Sequence, residues 1–281
     1  MNLNPEILLA LETIVGTSYI FTDEATRKNY GHDETEDLSF PPQVVVKPAN
    51  TFEVSEILKV SNLYKIPTVP IGARTGLSGG ALAIYGGIGI SMERFNKILE
   101  IDERNLQITT EPGVITQVLR EAVAEKGLLY PVDPSSMGSC WIGGNIAENS
   151  GGARALKYGV TKDYVLNLEV VLPTGDIIWT GANTLKNSTG YNLTQLMVGS
   201  EGTLGIVTKA VLKLIPQNKH NVLLLVPFVK AEEACEAVSA IFRAGITPSA
   251  LEFMERDAID WTLKFVDGLN VKVNDNIQAH L

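Results

Sequence analysis

Residues 70–81 read PIGARTGLSGGA, and this stretch sets the terms for the rest of the chain. Gly72, Gly76, Gly79 and Gly80 leave backbone amides unshielded, so a diphosphate can approach them closely. Thr75 and Ser78 add hydroxyl donors, and Arg74 adds charge. The loop has no Gly-Lys-Ser/Thr ending, and the spacing Gly-x-Gly-x-x-Gly occurs nowhere in the chain. By itself the loop reads equally as a glycine-rich turn between strands. Two further stretches change the balance. Residues 133–152, DPSSMGSCWIGGNIAENSGG, crowd small and hydrogen-bonding residues around Trp141 and Ile142, which suits a loop wrapped about an extended polar ligand. Residues 199–206, GSEGTLGI, offer the Glu201 carboxylate to a ribose hydroxyl or a structural amide. Together the three loops predict a cradle for a long dinucleotide.

Outward from these loops, periodicity predicts helices over 5–15, with Pro5 near the start, over 51–64, with Val54, Ile57 and Leu58 as its stripe, and over 114–126. Short strands are expected at 44–46, 66–71, 88–92, 98–101 and 106–110. A hairpin is expected over 165–172 and 176–180 around Pro173-Thr174-Gly175, followed by a strand over 205–215. After Pro216 the pattern becomes strand 221–229, helix 230–243, strand 249–254, helix 255–267, and a last strand near the end. Many short strands without regular strand–helix alternation give an α+β class. The expected division is 1–218 as the first domain and 219–281 as a second, partial α/β one.

The 281 residues are 45% hydrophobic and 20% charged, with a net charge of −9. That acidity argues against nucleic acid and anionic membrane as partners, but leaves anionic ligands bound by backbone amides. The N-terminus has no basic leader region, and no apolar run approaches a membrane span. Cys140 and Cys235 stand far apart, which fits two free thiols in a reducing cytoplasm. His32, His220 and His280 have no metal-ligand spacing, so no metal site is expected, and no serine sits in a nucleophile elbow.

The stretches PIGARTGLSGGA, DPSSMGSCWIGGNIAENSGG, GVTKDYVLNLEVVLPTGD, KNSTGYNLTQLMVGSEGTLGIVT and ALEFMERDA, in that order, resemble the FAD-linked oxidase family. Within it the chain is most similar to the FAD-binding subunit of glycolate oxidase and to D-lactate and D-2-hydroxyglutarate dehydrogenases. The resemblance implies a PCMH-type FAD-binding fold of two α+β subdomains, followed by a partial ferredoxin-like cap that relatives extend further. It implies oxidation of a D-2-hydroxyacid by hydride transfer to FAD. Electrons would pass on to a quinone, an electron-transfer flavoprotein or an iron–sulfur subunit. The alternatives are a non-catalytic FAD-binding fragment or subunit that needs a partner chain, and a non-redox enzyme of the alkylglycerone-phosphate synthase type.

Residue by residue, the resemblance places Pro70, Gly72, Ala73, Arg74, Thr75, Gly76, Leu77 and Ser78 at the FAD pyrophosphate. It places Pro134, Ser135, Ser136, Gly138, Ser139, Gly143, Gly144, Asn145, Asn149, Gly151 and Gly152 along the ribityl chain and ring. Glu201 and Ile206 fall at the adenosine end. The first loop carries no histidine, so FAD is expected to be non-covalent, with Cys140 as a packed thiol. Many relatives have glycine or asparagine where Arg74 stands, which leaves its side chain either on the phosphate or pointing outward. Lys157, Tyr158 and Lys186 lie in family motifs but read as structural. Relatives supply the base, the metal ligands and the carboxylate clamps from a later segment, so the catalytic residues of this chain stay unassigned.

Overall fold

The structure is a computed structural model that describes residues 3–269 and 271–281. The chain forms two compact units, residues 1–151 with 160–217, and residues 152–159 with 218–281.

The larger unit holds two main sheets and a two-stranded one. Helix α1 (Pro5–Val15) starts on Pro5, with the Asn4 side chain accepting the Glu6 N–H at 3.1 Å. Strand β1 (Ile20–Phe21) and helix α2 (Glu24–Asn29) follow, then β2 (Val44–Val46), helix α3 (Thr51–Tyr64), β3 (Thr68–Ile71) and β4 (Ile88–Ser91). The first sheet has the order β1-β2-β4-β3, with β2 and β3 both parallel to β4 and β1 antiparallel to β2. Parallel strands of one sheet need a crossover connection, and α3 supplies it between β2 and β3, which flank β4. One end of α3 is capped by Asn50, which accepts the Glu53 N–H at 3.0 Å, and the other by Lys65 at φ 54°. Val44 and Val46 face the core formed by α1 and α3, whereas Val45 faces the other way, against Tyr30 and Ile71.

The second sheet begins with β5 (Ile98–Asp102) and β6 (Gln107–Thr110). After α4 (Thr116–Ala124), β7 (Leu128–Leu129) and α5 (Ile142–Glu148) come β8 (Val165–Val171), β9 (Ile177–Trp179) and β10 (Ile206–Lys213). This sheet is antiparallel throughout, in the order β5-β6-β10-β8-β9. Strand β11 (Ile215–Pro216) pairs back onto β7. Val171 and Ile206, from the second sheet, complete the core of the first. The buried Glu169 carboxylate accepts hydrogen bonds from Thr51 Oγ1 of α3 at 2.6 Å and Thr208 Oγ1 at 2.9 Å. It also pairs with Lys209 Nζ at 3.1 Å. Ser55 Oγ of α3 donates to the Gly175 carbonyl in the β8–β9 turn at 2.5 Å. Helix α3, packed in the core of the first sheet, is thereby bonded to the second.

In the smaller unit, β12 (Pro227–Phe228), β13 (Met254–Glu255) and β14 (Ala279–His280) form a sheet of order β12-β14-β13, with β14 antiparallel to both neighbours. Helices α6 (Ala231–Arg243) and α7 (Arg256–Phe265) accompany it. Arg256 at the head of α7 pairs with Asp260 at 2.9 Å and donates to the carbonyls of Asn274 and Ile277 at 3.1 and 3.2 Å.

Three elements differ from the reading of the sequence. The strand expected over 221–229 is only Pro227–Phe228, extended by paired hydrogen bonds between Val226 and Leu281. Val222 and Leu223 are 82% and 93% exposed; apolarity marks a strand, but a ladder partner is needed to make one. The strand expected over 249–254 is likewise reduced to Met254–Glu255. Residues 142–148, expected as loop, are α5, because Gly143 is set tightly against Pro112 and Asn149 at φ 53° caps the end. Among the described residues no helix is long and apolar enough to cross a membrane.

Burial works to raise the Glu169 carboxyl, but the bonds from Thr51, Lys209 and Thr208 outweigh it and hold its pKa below the ordinary value. A lowered folded pKa stabilises the chain above the ordinary carboxylate value and loses that effect as pH falls through the lowered one. Glu169→Gln should therefore cost on the order of 2 kcal/mol at neutral pH by chemical denaturation. The deficit should shrink in acid, and a deficit independent of pH would exclude this account.

Candidate functional site

The C-terminal end of β3 delivers the chain into residues 72–81, and no residue from 72 to 80 donates a backbone hydrogen bond to the described protein. Such a run of free N–H groups must meet water or a ligand. It borders a cleft of about 1160 Å³, part of it open to solvent, whose lining comes wholly from the larger unit. The wall is built by glycines set tightly against proline rings. A Cβ at Gly202 would lie 2.4 Å from Pro70 Cγ, and one at Gly143 would lie 2.7 Å from Pro112 Cβ. The third loop is further tied to α5 by Gly199 N–H to Ile146 O at 2.9 Å and Glu201 N–H to Ala147 O at 3.1 Å.

Other glycines have no such reason. A Cβ at Gly144 would meet nothing within 4 Å, and one at Gly72 would meet only the Gly144 nitrogen at 4.0 Å. At Gly76 the nearest neighbour would be Glu148 Oε1 at 3.7 Å, an ordinary contact, and none of the three has a positive φ. Neither packing nor backbone conformation demands glycine at these positions.

Of the residues singled out from the sequence, Pro70, Gly72, Ala73, Arg74, Thr75 and Gly76 line the cleft on one side. Ser136, Gly143, Gly144 and Asn145 line it from the second stretch, and Glu201 and Ile206 from the third. Leu77 and Ser78 lie outside the lining and are exposed, although Ser78 Oγ reaches Glu148 Oε1 at 3.4 Å. Pro134, Ser135, Gly138 and Ser139 form the turn before Cys140 rather than the wall itself. Asn149 spends its side chain on the Lys162 N–H at 2.9 Å. Gly151 closes the first segment of the larger unit, and Gly152 belongs to the smaller one. Asn145 is buried and donates to Thr116 Oγ1 at 2.6 Å, so it braces α5 from behind. Cys140 is a buried free thiol 3.3 Å from the same Thr116 hydroxyl, and it too borders the cleft.

Reading the sequence did not single out Asp33 or Glu148. Asp33 arrives from the segment after α2, where Glu34 N–H donates to Gly76 O at 3.1 Å, a contact with no sequence signal. Glu148 sits in the last turn of α5 and became legible only once 142–148 was a helix. A Cβ at Gly80 would lie 3.0 Å from Glu201 Oε2 and 3.2 Å from Glu148 Oε1, so the two carboxylates crowd one spot. Desolvation in the cleft raises the Glu148 pKa, and the Glu201 and Asp33 charges add to it. Among the described residues, Arg74 is the only basic side chain in the lining.

A mixed fold with a cleft bordered by a loop of free amides suits a dinucleotide, and comparison with known proteins narrows it. The FAD binding domain pattern matches residues 42–181, and the C-terminal domain of FAD linked oxidases matches 217–279. The chain belongs to the FAD-linked oxidase family. It is 49% identical over 235 residues to "Glycolate oxidase subunit GlcD" of Bacillus subtilis (strain 168), covering 84% of this chain and 50% of that protein. It is 42% identical over 263 residues to "D-lactate dehydrogenase" of Anaerostipes hadrus, covering 93% and 55%. The chain thus spans about half the length of these relatives. A solved alkyldihydroxyacetonephosphate synthase shares the fold, with TM-score 0.82 at 22% identity over 95% of this chain and 50% of its own.

A raised folded pKa means that the folded chain favours the protonated carboxyl. Stability is then lost as pH rises from the ordinary value through the raised one. Glu148→Gln, neutral at every pH, should gain stability relative to the parent as pH climbs from about 4 toward neutrality. Thermal unfolding across that range should show the gap widening; a constant gap would remove Glu148 from the electrostatics of the cleft.

Proposed function

We propose that this chain binds FAD non-covalently in the cleft of the larger unit, and that the architecture it shares with its relatives oxidises a D-2-hydroxyacid to the 2-oxoacid. The observation that carries the reading is the trio Gly72, Gly76 and Gly144, whose missing side chains answer to nothing in the protein. A bound dinucleotide lying against the wall would explain all three. The residues fit that ligand. The amides of 72–80 and the Arg74 guanidinium suit a diphosphate, and Glu201 suits a ribose hydroxyl. Leu77, Ser78, Pro134, Ser135, Gly138, Ser139, Asn149, Gly151 and Gly152 would then shape or brace the cradle rather than line it.

When bound, FAD supplies the two-electron acceptor for a hydride from the carbinol carbon. The protein's part in this unit is to orient the cofactor, exclude water from its buried face and hold a fixed electrostatic field. We place the domain boundary near 218, with 219–281 as cap, and assign the electron acceptor to the quinone, flavoprotein or iron–sulfur class.

Gly144 is the third residue of α5, where alanine would ordinarily favour the helix by about 0.5–1 kcal/mol. Gly144→Ala should therefore raise the melting temperature of the apoprotein while weakening FAD, read by titration of flavin fluorescence. FAD affinity equal to that of the parent would remove the cofactor from this wall. Acid precipitation of the FAD-loaded protein should leave the flavin in the supernatant, and colour retained in the pellet would contradict non-covalent binding.

A further inference from the structure

Arg74 sits in a backbone conformation that an arginine rarely adopts, at φ 60°. Glycine would meet that φ without strain, so the side chain must repay its own presence. Two contacts hold it. Its Nη1 donates to the carbonyl of Asn29, and its guanidinium carbon lies 5.0 Å from the centre of the Tyr30 ring, within cation–π range. Asn29 ends α2, and Tyr30 is its C-cap, so the side chain from the glycine-rich loop is gripped by a helix terminus 45 residues earlier.

The grip is itself supported. Tyr30 is buried against Val45 and Ile71, the last residue of the strand that feeds the loop. Its hydroxyl donates to Glu93 Oε2 at 2.6 Å, and Glu93 Oε1 pairs with Lys47 Nζ at 2.6 Å. Lys47 lies 5.4 Å from the Tyr30 ring centre and 4.6 Å from that of Phe21. Burial works against both charges of the pair. Even so, their mutual hydrogen bond and the one to Tyr30 hold the Lys47 pKa above its ordinary value and that of Glu93 below. The ring is thereby held by apolar packing at Val45 and Ile71 and by a hydrogen bond at its hydroxyl. Arg74 spends one nitrogen on Asn29, and its remaining N–H groups have no partner among the described residues.

We propose that Tyr30 is a positioning residue whose ring, with the Asn29 carbonyl, fixes the Arg74 guanidinium at the cleft wall to meet the diphosphate of the bound dinucleotide. This rests on the flavin-binding reading of the cleft. A fixed planar fork matches phosphate oxygens without first losing the rotamer freedom of a loose side chain.

A double-mutant cycle on the whole chain tests it, reading FAD dissociation constants at two salt concentrations. Tyr30→Leu should weaken FAD by about 5- to 10-fold, within the range of a partly shielded cation–π contact, and Tyr30→Phe should recover most of that loss. Arg74→Gly should weaken FAD at least as much and flatten the salt dependence. In the Arg74→Gly background, Tyr30→Leu should have no further effect, since nothing remains to be positioned. An equal loss in both backgrounds would make Tyr30 merely structural and overturn the proposal. Should Tyr30→Leu fail to fold, Arg74→Lys decides: it keeps the charge but loses the planar fork, so affinity equal to that of the parent would overturn the clamp. If these variants match the parent while the parent binds FAD, the flavin reading stands and the clamp falls. A parent that binds no FAD overturns both.

Discussion

The close approach of glycine backbone to proline rings around the cleft is the constraint on which the larger unit depends. Gly202 on Pro70 and Gly143 on Pro112 leave no room for a Cβ. A third contact is as tight: a Cβ at Gly113 would lie 2.6 Å from the carbonyl oxygens of both Met92 and Phe95. Interiors pack too densely to absorb an extra carbon at such points without moving a wall. Three loops far apart in sequence are thereby brought to one surface, and the free amides of 72–80 follow from it. The side chains nearest the loop's glycines include the Glu148 and Glu201 carboxylates, whose oxygens take no backbone N–H of 72–80.

That surface holds its shape only if the two sheets keep their spacing. Glu169 meets this need with a charge rather than an apolar contact, accepting from Thr51 on one side and from Thr208 and Lys209 on the other. A buried carboxylate costs desolvation energy unless its lone pairs are filled, and here three donors fill them. An apolar side chain of the same size could fill the space but would not dictate direction. Hydrogen bonds to a carboxylate fix the register of the first turn of α3 against β10, and the loop from Gly199 runs directly into β10. The core residues Val171 and Ile206 add area to the same junction without specifying it.

What the sequence reveals divides along the same line between local and distant causes. Helix α3 is legible over its full span because Asn50 caps it and Val54, Ile57 and Leu58 recur at helical spacing. Helix α5 is hidden because two glycines open it, and the reason for them, Pro112 and the open cleft, lies elsewhere in the fold. The apolar run from 221 misleads in the other direction, promising a long strand where the ladder reaches only from Val226 to Phe228. At the site, the three glycine-rich loops are visible as composition. Asp33 and Tyr30 are not, since nothing near them in the sequence shows that α2 ends beside the loop. The direction of Arg74 is left open by its neighbours in sequence and is settled by a ring 44 positions away.

The electrostatics of the cleft make that direction matter. Asp33, Glu148 and Glu201 line it against Arg74 alone. At an effective dielectric of about 20, two unit charges roughly 6 Å apart interact by about 3 kcal/mol, so an anionic diphosphate would be repelled by an uncompensated carboxylate there. Free amides offset this in part, because each presents a partial positive charge that needs no counter-ion. The raised pKa of Glu148 shows a second response, a carboxyl drawn toward its neutral form by burial and by its like-charged neighbours. On the proposed flavin reading, the remaining compensation would fall to Arg74. It engages the Tyr30 ring and a neutral carbonyl rather than Asp33, Glu148 or Glu201, which on the proposed reading would keep its charge available to the ligand. The strain of a left-handed arginine is tolerable for that reason: no glycine, however comfortable at φ 60°, would leave the cleft a positive charge.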